Sequence, residues 1–237
     1  MEEKTTKIRH RIHELFSEEL LLGMEKVMNN PEYTNNNQKV EANLLLLKDI
    51  GATYIASGTN RMAVLISKYI YKIALDSFGV RDNWTECEMS KRAQPWVTKT
   101  YECNGLVAVA EYVNLISKEE FQDSKENIAG ILEILSEDYL FCDISTTGKN
   151  WCNFGHRTNG DIVILDYGYL YPIDEKIMHC RKCGGKLVWN KNFTQLICAK
   201  CSKAHDPIEI RDRMKKKETD FAKLSHIKGP IKIKLNR

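Results

Sequence analysis

No stretch of this 237-residue sequence approaches the run of about 18 to 20 apolar residues that a bilayer-spanning helix needs. The first ten residues, MEEKTTKIRH, are charged and lack the apolar block of a secretory leader. Internal repeats are absent too, and the excess of one charge sign is small, +3. Together these absences point to a cytoplasmic chain with no membrane partner. The remaining composition, 43% hydrophobic and 28% charged, is that of an ordinary globular protein with a sizeable core. Its length suits one medium domain with an appendage, or two small domains.

The small net charge is unevenly distributed. Between Arg211 and Arg237 there are 10 Lys/Arg against 3 Asp/Glu, so the tail carries +7 and the rest of the chain −4. Such a tail is either a contact for nucleic acid or another polyanion, or a solvated end. Of the eight cysteines, Cys87, Cys103, Cys142 and Cys152 are scattered among apolar neighbours. They read as small buried hydrophobes in a reducing compartment.

Periodicity predicts an amphipathic helix over 6–29 and a second over 39–49, stopped by Gly51. Short β-prone runs follow at 53–55, 62–66 and 69–75 around the turn Ser57-Gly58-Thr59-Asn60, which suggests an antiparallel meander. A helix over 84–93 is expected, capped by Asp82 or Asn83. Strands at 97–101 and 106–112 are turned at Asn104-Gly105. Another helix covers 124–135 through Ile128, Ile131, Leu132 and Leu135. A hairpin then ends in the strand Ile162 to Leu165 and the turn Asp166-Tyr167-Gly168. This order of elements is α+β.

The remaining four cysteines form two pairs, Cys180-x2-Cys183 and Cys198-x2-Cys201, separated by 14 residues. Each pair places two thiolates on one tight turn, and two such turns close a tetrahedron of soft sulfur ligands. That donor set suits structural Zn²⁺. Two disulfides or a rubredoxin-type iron site are the alternatives, and the first conflicts with a reducing compartment. Residues 184–189 and 194–197 are expected to form the ribbon strands, with Gly184 and Gly185 supplying positive φ. His179 and His205 flank the site and are expected to be exposed bystanders.

Lys72 lies at the centre of the apolar run Tyr71-Lys72-Ile73-Ala74-Leu75, where burial is costly unless the ammonium is paired. The next helix offers Glu86 or Glu88, and Glu86 fits better. Asn153 and Asp166 lie 13 residues apart on either side of the hairpin, which returns two oxygen ligands to one point. From about 51 to 173, this order of pieces resembles the protein kinase-like fold, in the compact form of bacterial and phage kinase-like proteins.

The resemblance implies the following roles. Gly58 would lie over the ATP phosphates, as the one glycine left of the usual loop, and Lys72 would grip the α/β-phosphates with Glu86 as its ion-pair partner. Glu111-Tyr112-Val113 would be the hinge, binding adenine through the backbone of Glu111 and Val113. Asn153 and Asp166 would hold Mg²⁺, and Asp143 would orient or deprotonate the acceptor hydroxyl.

The sequence also departs from that family. Asp143 and Asn153 are ten residues apart where five is usual, so either 146–151 is an insertion or Asn150 is the ligand. Phe141 and Cys142 replace the usual histidine and arginine. Five residues separate Gly168 from Asp174, with no activation segment or peptide-binding lobe between them.

The resulting expectation is a two-lobed kinase-like fold with a truncated C-terminal lobe plus a zinc ribbon. Its parts are a helical segment at 1–50, a kinase-like domain at 51–173, the ribbon at 174–207 and a basic tail at 208–237. The expected activity is ATP/Mg²⁺-dependent phosphoryl transfer, in the host cytoplasm were the chain phage-encoded. A pseudokinase-type regulatory protein and a zinc-ribbon adaptor for nucleic acid or protein partners are the alternatives.

Overall fold

The structure, a computed structural model, describes residues 12–221, with side chains through residue 214. The start of the first predicted helix (6–11) and the end of the basic tail (222–237) lie outside the described residues. The chain is mixed α+β with several antiparallel sheets, and no described helix is long and apolar enough to cross a membrane. It divides into two compact units. One takes in 12–91 and 99–112, the other 92–98 and 113–221.

The first unit opens with α1 (Ile12–Leu15), α2 (Glu18–Asn29) and α3 (Asn36–Leu47). The single helix expected here is broken at Ser17, whose extended backbone and side chain cap α2 by accepting from the Leu20 N–H. Asn35 caps α3 in the same way, which starts that helix before Lys39. A 3₁₀ turn, Lys48–Ile50, then ends at Gly51 with φ +70°, as expected.

β1 (Thr53–Ser57), β2 (Arg61–Ile66), β3 (Tyr69–Ala74), β4 (Thr100–Cys103) and β5 (Val107–Glu111) form one antiparallel sheet, ordered β1-β2-β3-β5-β4. Phe16, Met24 and Leu47 of the helices share a core with Val64, Ile73 and Val107 of the sheet. The helical segment and the sheet therefore bury one another.

α4 (Ser77–Arg92) begins seven residues earlier than expected. Asp76 Oδ1 accepts from the Gly79 N–H at 2.8 Å and starts the helix. Asp82 and Asn83, expected as caps, instead lie buried inside it. Asn83 donates to the Lys72 and Gly105 carbonyls at 3.2 and 2.8 Å, fixing α4 against the sheet.

The second unit contains β6 (Asn114–Leu115), α5 (Lys118–Asp123), α6 (Lys125–Asp138), β7 (Tyr139–Phe141), β8 (Phe154–His156), β9 (Ile162–Ile164) and β10 (Leu170–Pro172). After these come β11 (Leu187–Trp189), β12 (Leu196–Cys198), β13 (Ala204–His205) and α7 (Pro207–Phe221). α6 buries the expected stripe of Ile128, Ile131, Leu132 and Leu135. α5 was not expected, although its Ser117/Glu120 capping box is written in the sequence.

The strand expected at 97–101 starts only at Thr100, because β9 takes up the backbone before it. Val97 bridges Ile164 in parallel, the Thr98 N–H donates to the Ile164 carbonyl, and the Ile164 N–H donates to the Trp96 carbonyl. The Arg157 guanidinium holds the same segment through the Pro95 and Val97 carbonyls, at 2.9 and 3.0 Å.

The cysteine module is a three-stranded sheet, β11-β12-β13. Its core, Leu187, Leu196, Cys180 and Cys198, is continuous with Leu140 of β7 and Ile210 of α7. The first half of the basic tail is thus a helix packed on the module.

Candidate functional site

In the first unit, Lys72 lies on β3 opposite Ala63 of β2 and Ala108 of β5. Its Nζ is 2.6 Å from Oε2 of Glu86. The other oxygen, Oε1, accepts from Arg61 Nη2 at 2.8 Å. The carboxylate is fully buried and both cations are nearly so. Burial alone pushes the Glu86 carboxyl up, but the Arg61 and Lys72 charges and their hydrogen bonds outweigh it and bring it down to about 2.

Arg61 was missed by sequence reasoning. Its signal was register: as the first residue of β2 it pairs with Ala74, two residues past Lys72 on the same strand. Glu88, the other candidate partner for Lys72, is exposed on α4.

Gly58 sits exposed in the β1–β2 connection, where its N–H donates to the Arg61 carbonyl at 2.8 Å. A Cβ there would meet nothing within 4 Å, so packing does not demand glycine. Glu111 ends β5, with its N–H bonded to the Lys99 carbonyl. The chain passes from the first unit to the second between Tyr112 and Val113.

In the second unit the hairpin gathers three of the expected residues. The Leu165 N–H donates to the Asn153 carbonyl at 2.8 Å, which sets the Asn153 backbone beside the Ile164–Leu165 peptide, one residue before Asp166. Asn153 Nδ2 donates to the Asp143 carbonyl at 2.9 Å. Asp143 and Asp166 are both exposed. The ten-residue spacing is therefore spanned by a loop that returns Asn153 to Asp143. Asn150 enters this arrangement through its carbonyl, which accepts from the Asn153 N–H.

Tyr167 is fully buried, and its hydroxyl donates to the Thr98 carbonyl at 2.6 Å. This gives a physical reason for tyrosine there, since a buried phenol needs its acceptor. Phe141 is buried as well and stacks on Trp189 at 4.5 Å and 7°. With the Thr146 N–H bonded to the Asn192 carbonyl, the stack ties both ends of the Asp143 loop to the cysteine module.

The Sγ atoms of Cys180, Cys183, Cys198 and Cys201 all lie within 4.8 Å of one another. Cys180 and Cys201 are 3.8 Å apart, and Cys183 and Cys198 3.4 Å. A tetrahedral ion with metal–sulfur bonds of about 2.3 Å keeps its sulfurs about 3.8 Å apart. The four cysteines can therefore hold one metal ion. Burial opposes ionisation of Cys198, but the N–H groups of Cys201 and Lys200 and neighbouring thiols bring it down to about 6. Although the Gly185 N–H lowers Cys183, the adjacent thiols push it up to about 12. Four crowded sulfurs do not all ionise without a cation among them.

Two expectations about this module are corrected. Gly184 has φ +70°, but Gly185 is needed for space: a Cβ there would lie 2.8 Å from Cys198 Sγ and 2.6 Å from Lys200 Cβ. His205 is not an exposed bystander; it is buried on β13 and favours ionisation of Cys180. His179 is exposed. Gly185→Ala is expected to lower metal content per chain by more than half, measured by elemental analysis of the purified protein, whereas Gly58→Ala leaves it unchanged.

No protein-family model matches the chain, and no curated protein matches it.

Proposed function

We propose that the protein is an ATP/Mg²⁺-dependent phosphotransferase of kinase-like fold, with a structural zinc ion on its four module cysteines. The observation that carries this reading is the Lys72–Glu86 pair, an ammonium held at 2.6 Å by a buried carboxylate on the helix that follows its strand. A lysine fixed in this way is a rigid donor for a nucleotide's α/β-phosphates. Arg61 on the same carboxylate adds a second cation.

The antiparallel five-stranded sheet with α4 inserted between β3 and β4 supports the reading, as does the crossing of the chain at Tyr112–Val113, where the hinge is expected. Asp166 and Asn153 are the residues that would hold Mg²⁺. Both offer hard oxygen donors, and the Leu165 N–H bond to the Asn153 carbonyl keeps Asn153 one residue from Asp166 across the hairpin. A Mg²⁺ ion there would neutralise charge on the β/γ-phosphates. Asp143, exposed and held through its carbonyl by Asn153, is the group to orient or accept a proton from the acceptor hydroxyl. Zn²⁺ fits the module because four thiolates close its coordination and leave no open position, which makes its role structural.

The pseudokinase reading draws on Phe141. The side chain in the usual histidine position is committed to the Trp189 stack and takes no part in positioning the loop aspartate by hydrogen bonding. Radiolabelled ATP separates the two readings. Phosphotransferase action is expected to release or transfer the γ-phosphate with Mg²⁺, and Asp166→Ala to reduce this roughly 100-fold or more. Binding of ATP without turnover by the unaltered protein favours the pseudokinase.

A further inference from the structure

Two cysteines outside the metal module meet at the seam between α4 and β4. Asn83 of α4 donates to the Gly105 carbonyl just beyond β4, and Ser90 of α4 accepts from the Thr100 N–H at 2.7 Å. Cys87 lies one turn after Asn83 and one turn before Ser90. Cys103 lies between Thr100 and Gly105. The helix and strand run antiparallel here, so the two flanking contacts bring Cys87 opposite Cys103. Cys103 Sγ accepts from the Gly105 N–H at 3.1 Å, and Cys103 is the first influence on the ionisation of Cys87. Both residues are partly exposed, and neither belongs to the metal cluster.

We propose that Cys87 and Cys103 are a dithiol oxidation site, closed to a disulfide by a hydroperoxide and reopened by thiols. The Cys87 sulfur attacks the peroxide's terminal oxygen, breaking the O–O bond and releasing water or an alcohol, and becomes a sulfenic acid. Cys103 sulfur then attacks Cys87 sulfur and expels the hydroxyl as water, taking up the thiol proton. Two thiols are oxidised by two electrons and one peroxide is reduced. The S–S bond of about 2.05 Å is reached by drawing together two side chains on facing turns of helix and strand.

Cys87 is suited to the attacking role. Cys103 lowers its pKa, burial raises it, Lys91 lowers it, and Glu102 and Glu88 raise it, leaving it at about 6. Cys103 is pushed upward, first by Cys87 and then by burial, and serves as the resolving thiol. The bond would fasten β4 to the helix turn that carries Glu86. The dithiol site stands whether or not the protein binds a nucleotide.

The test uses the full-length, metal-loaded protein. It is treated with equimolar hydrogen peroxide, blocked with N-ethylmaleimide, digested without reductant and analysed by mass spectrometry. The expected product is a peptide pair joined through Cys87 and Cys103 and released by dithiothreitol. In Cys103→Ala the expected product is a Cys87 sulfenic acid trapped by dimedone, with Cys87 alkylation at pH 7 slowed roughly fivefold. Recovery of both residues as maleimide adducts while other cysteines oxidise overturns the proposal. So does linkage of Cys87 to a different cysteine, or its conversion to sulfinic acid in the unaltered protein. The unaltered protein alone decides these outcomes if the variant does not fold.

Discussion

Glu86→Gln is expected to destabilise the first unit by about 3–5 kcal/mol, because it leaves two nearly buried cations without their shared counter-charge. Urea unfolding followed by circular dichroism checks the value. Adding Lys72→Met to Glu86→Gln is expected to restore part of the loss, since one of the two cations that faced the carboxylate is removed with little change in volume. A double-mutant cycle then isolates the pair energy. If instead the two losses simply add, the three side chains do not act as a unit.

The same carboxylate predicts a pH signature. Its pKa is about 2 in the folded chain against an ordinary 4.5. The folded state therefore binds fewer protons between these values, and stability falls as pH is lowered through them. The contribution is fully present above pH 4.5 and is lost as pH falls through about 2, amounting to about 3 kcal/mol. The gap in stability between the unaltered protein and Glu86→Gln should narrow over that window and stay constant from pH 5 to 7. A gap that does not vary with acid would show that the carboxyl is not held down by its partners.

Removal of the module's metal is expected to have the other large effect. One zinc per chain is expected on purification, and Cys198→Ser or a strong chelator should release it. The sulfurs and the apolar residues around them belong to one core with Leu140 and Ile210, so loss of the ion should spread beyond the ribbon. A fall of about 10 °C or more in melting temperature is expected. The near-ultraviolet dichroism of the Phe141–Trp189 stack should also be lost. A metal-free protein that keeps both its melting point and that signal would show that the module closes without an ion.

Phe141 also links the ribbon to the proposed chemistry. It precedes Asp143 by two residues, and its stacking partner lies on β11. Only five residues lie between Gly168 and Asp174, ahead of the ribbon. The ribbon, on this reading, takes over the structural part of a full-sized kinase's substrate lobe by holding the Asp143 loop. Metal removal is then expected to reduce phosphoryl transfer while leaving nucleotide affinity largely unchanged.

Local patterns in the sequence were enough for several parts of the fold. The β1–β2–β3 meander, the α6 stripe, the hairpin and the four cysteines are short-range signals set by periodicity, turn residues and paired thiols. Lys72 and Glu86 were legible as a pair because an ammonium in an apolar strand calls for a nearby carboxylate. What escaped were contacts that depend on tertiary placement. Arg61 joins Glu86 only through the pairing of β2 with β3. Ser17 breaks a continuous apolar period because its side chain competes for a backbone donor. Val97 and Thr98 look like the start of β4, yet their hydrogen bonds go to Ile164. Gly185 looks like a turn glycine, and its need is space beside Cys198.

On the proposed function, Lys72 addresses the phosphates of a nucleotide, and Asp166 with Asn153 the Mg²⁺ that accompanies it. A crystal structure with a non-hydrolysable ATP analogue and Mg²⁺ tests it most directly. The expected result is Lys72 Nζ within hydrogen-bond reach of the α- or β-phosphate, with Asp166 and Asn153 on a Mg²⁺ bound to the same molecule. A nucleotide bound away from Lys72, or held by Lys72 with Asp166 remote from its phosphates, would contradict the proposed function.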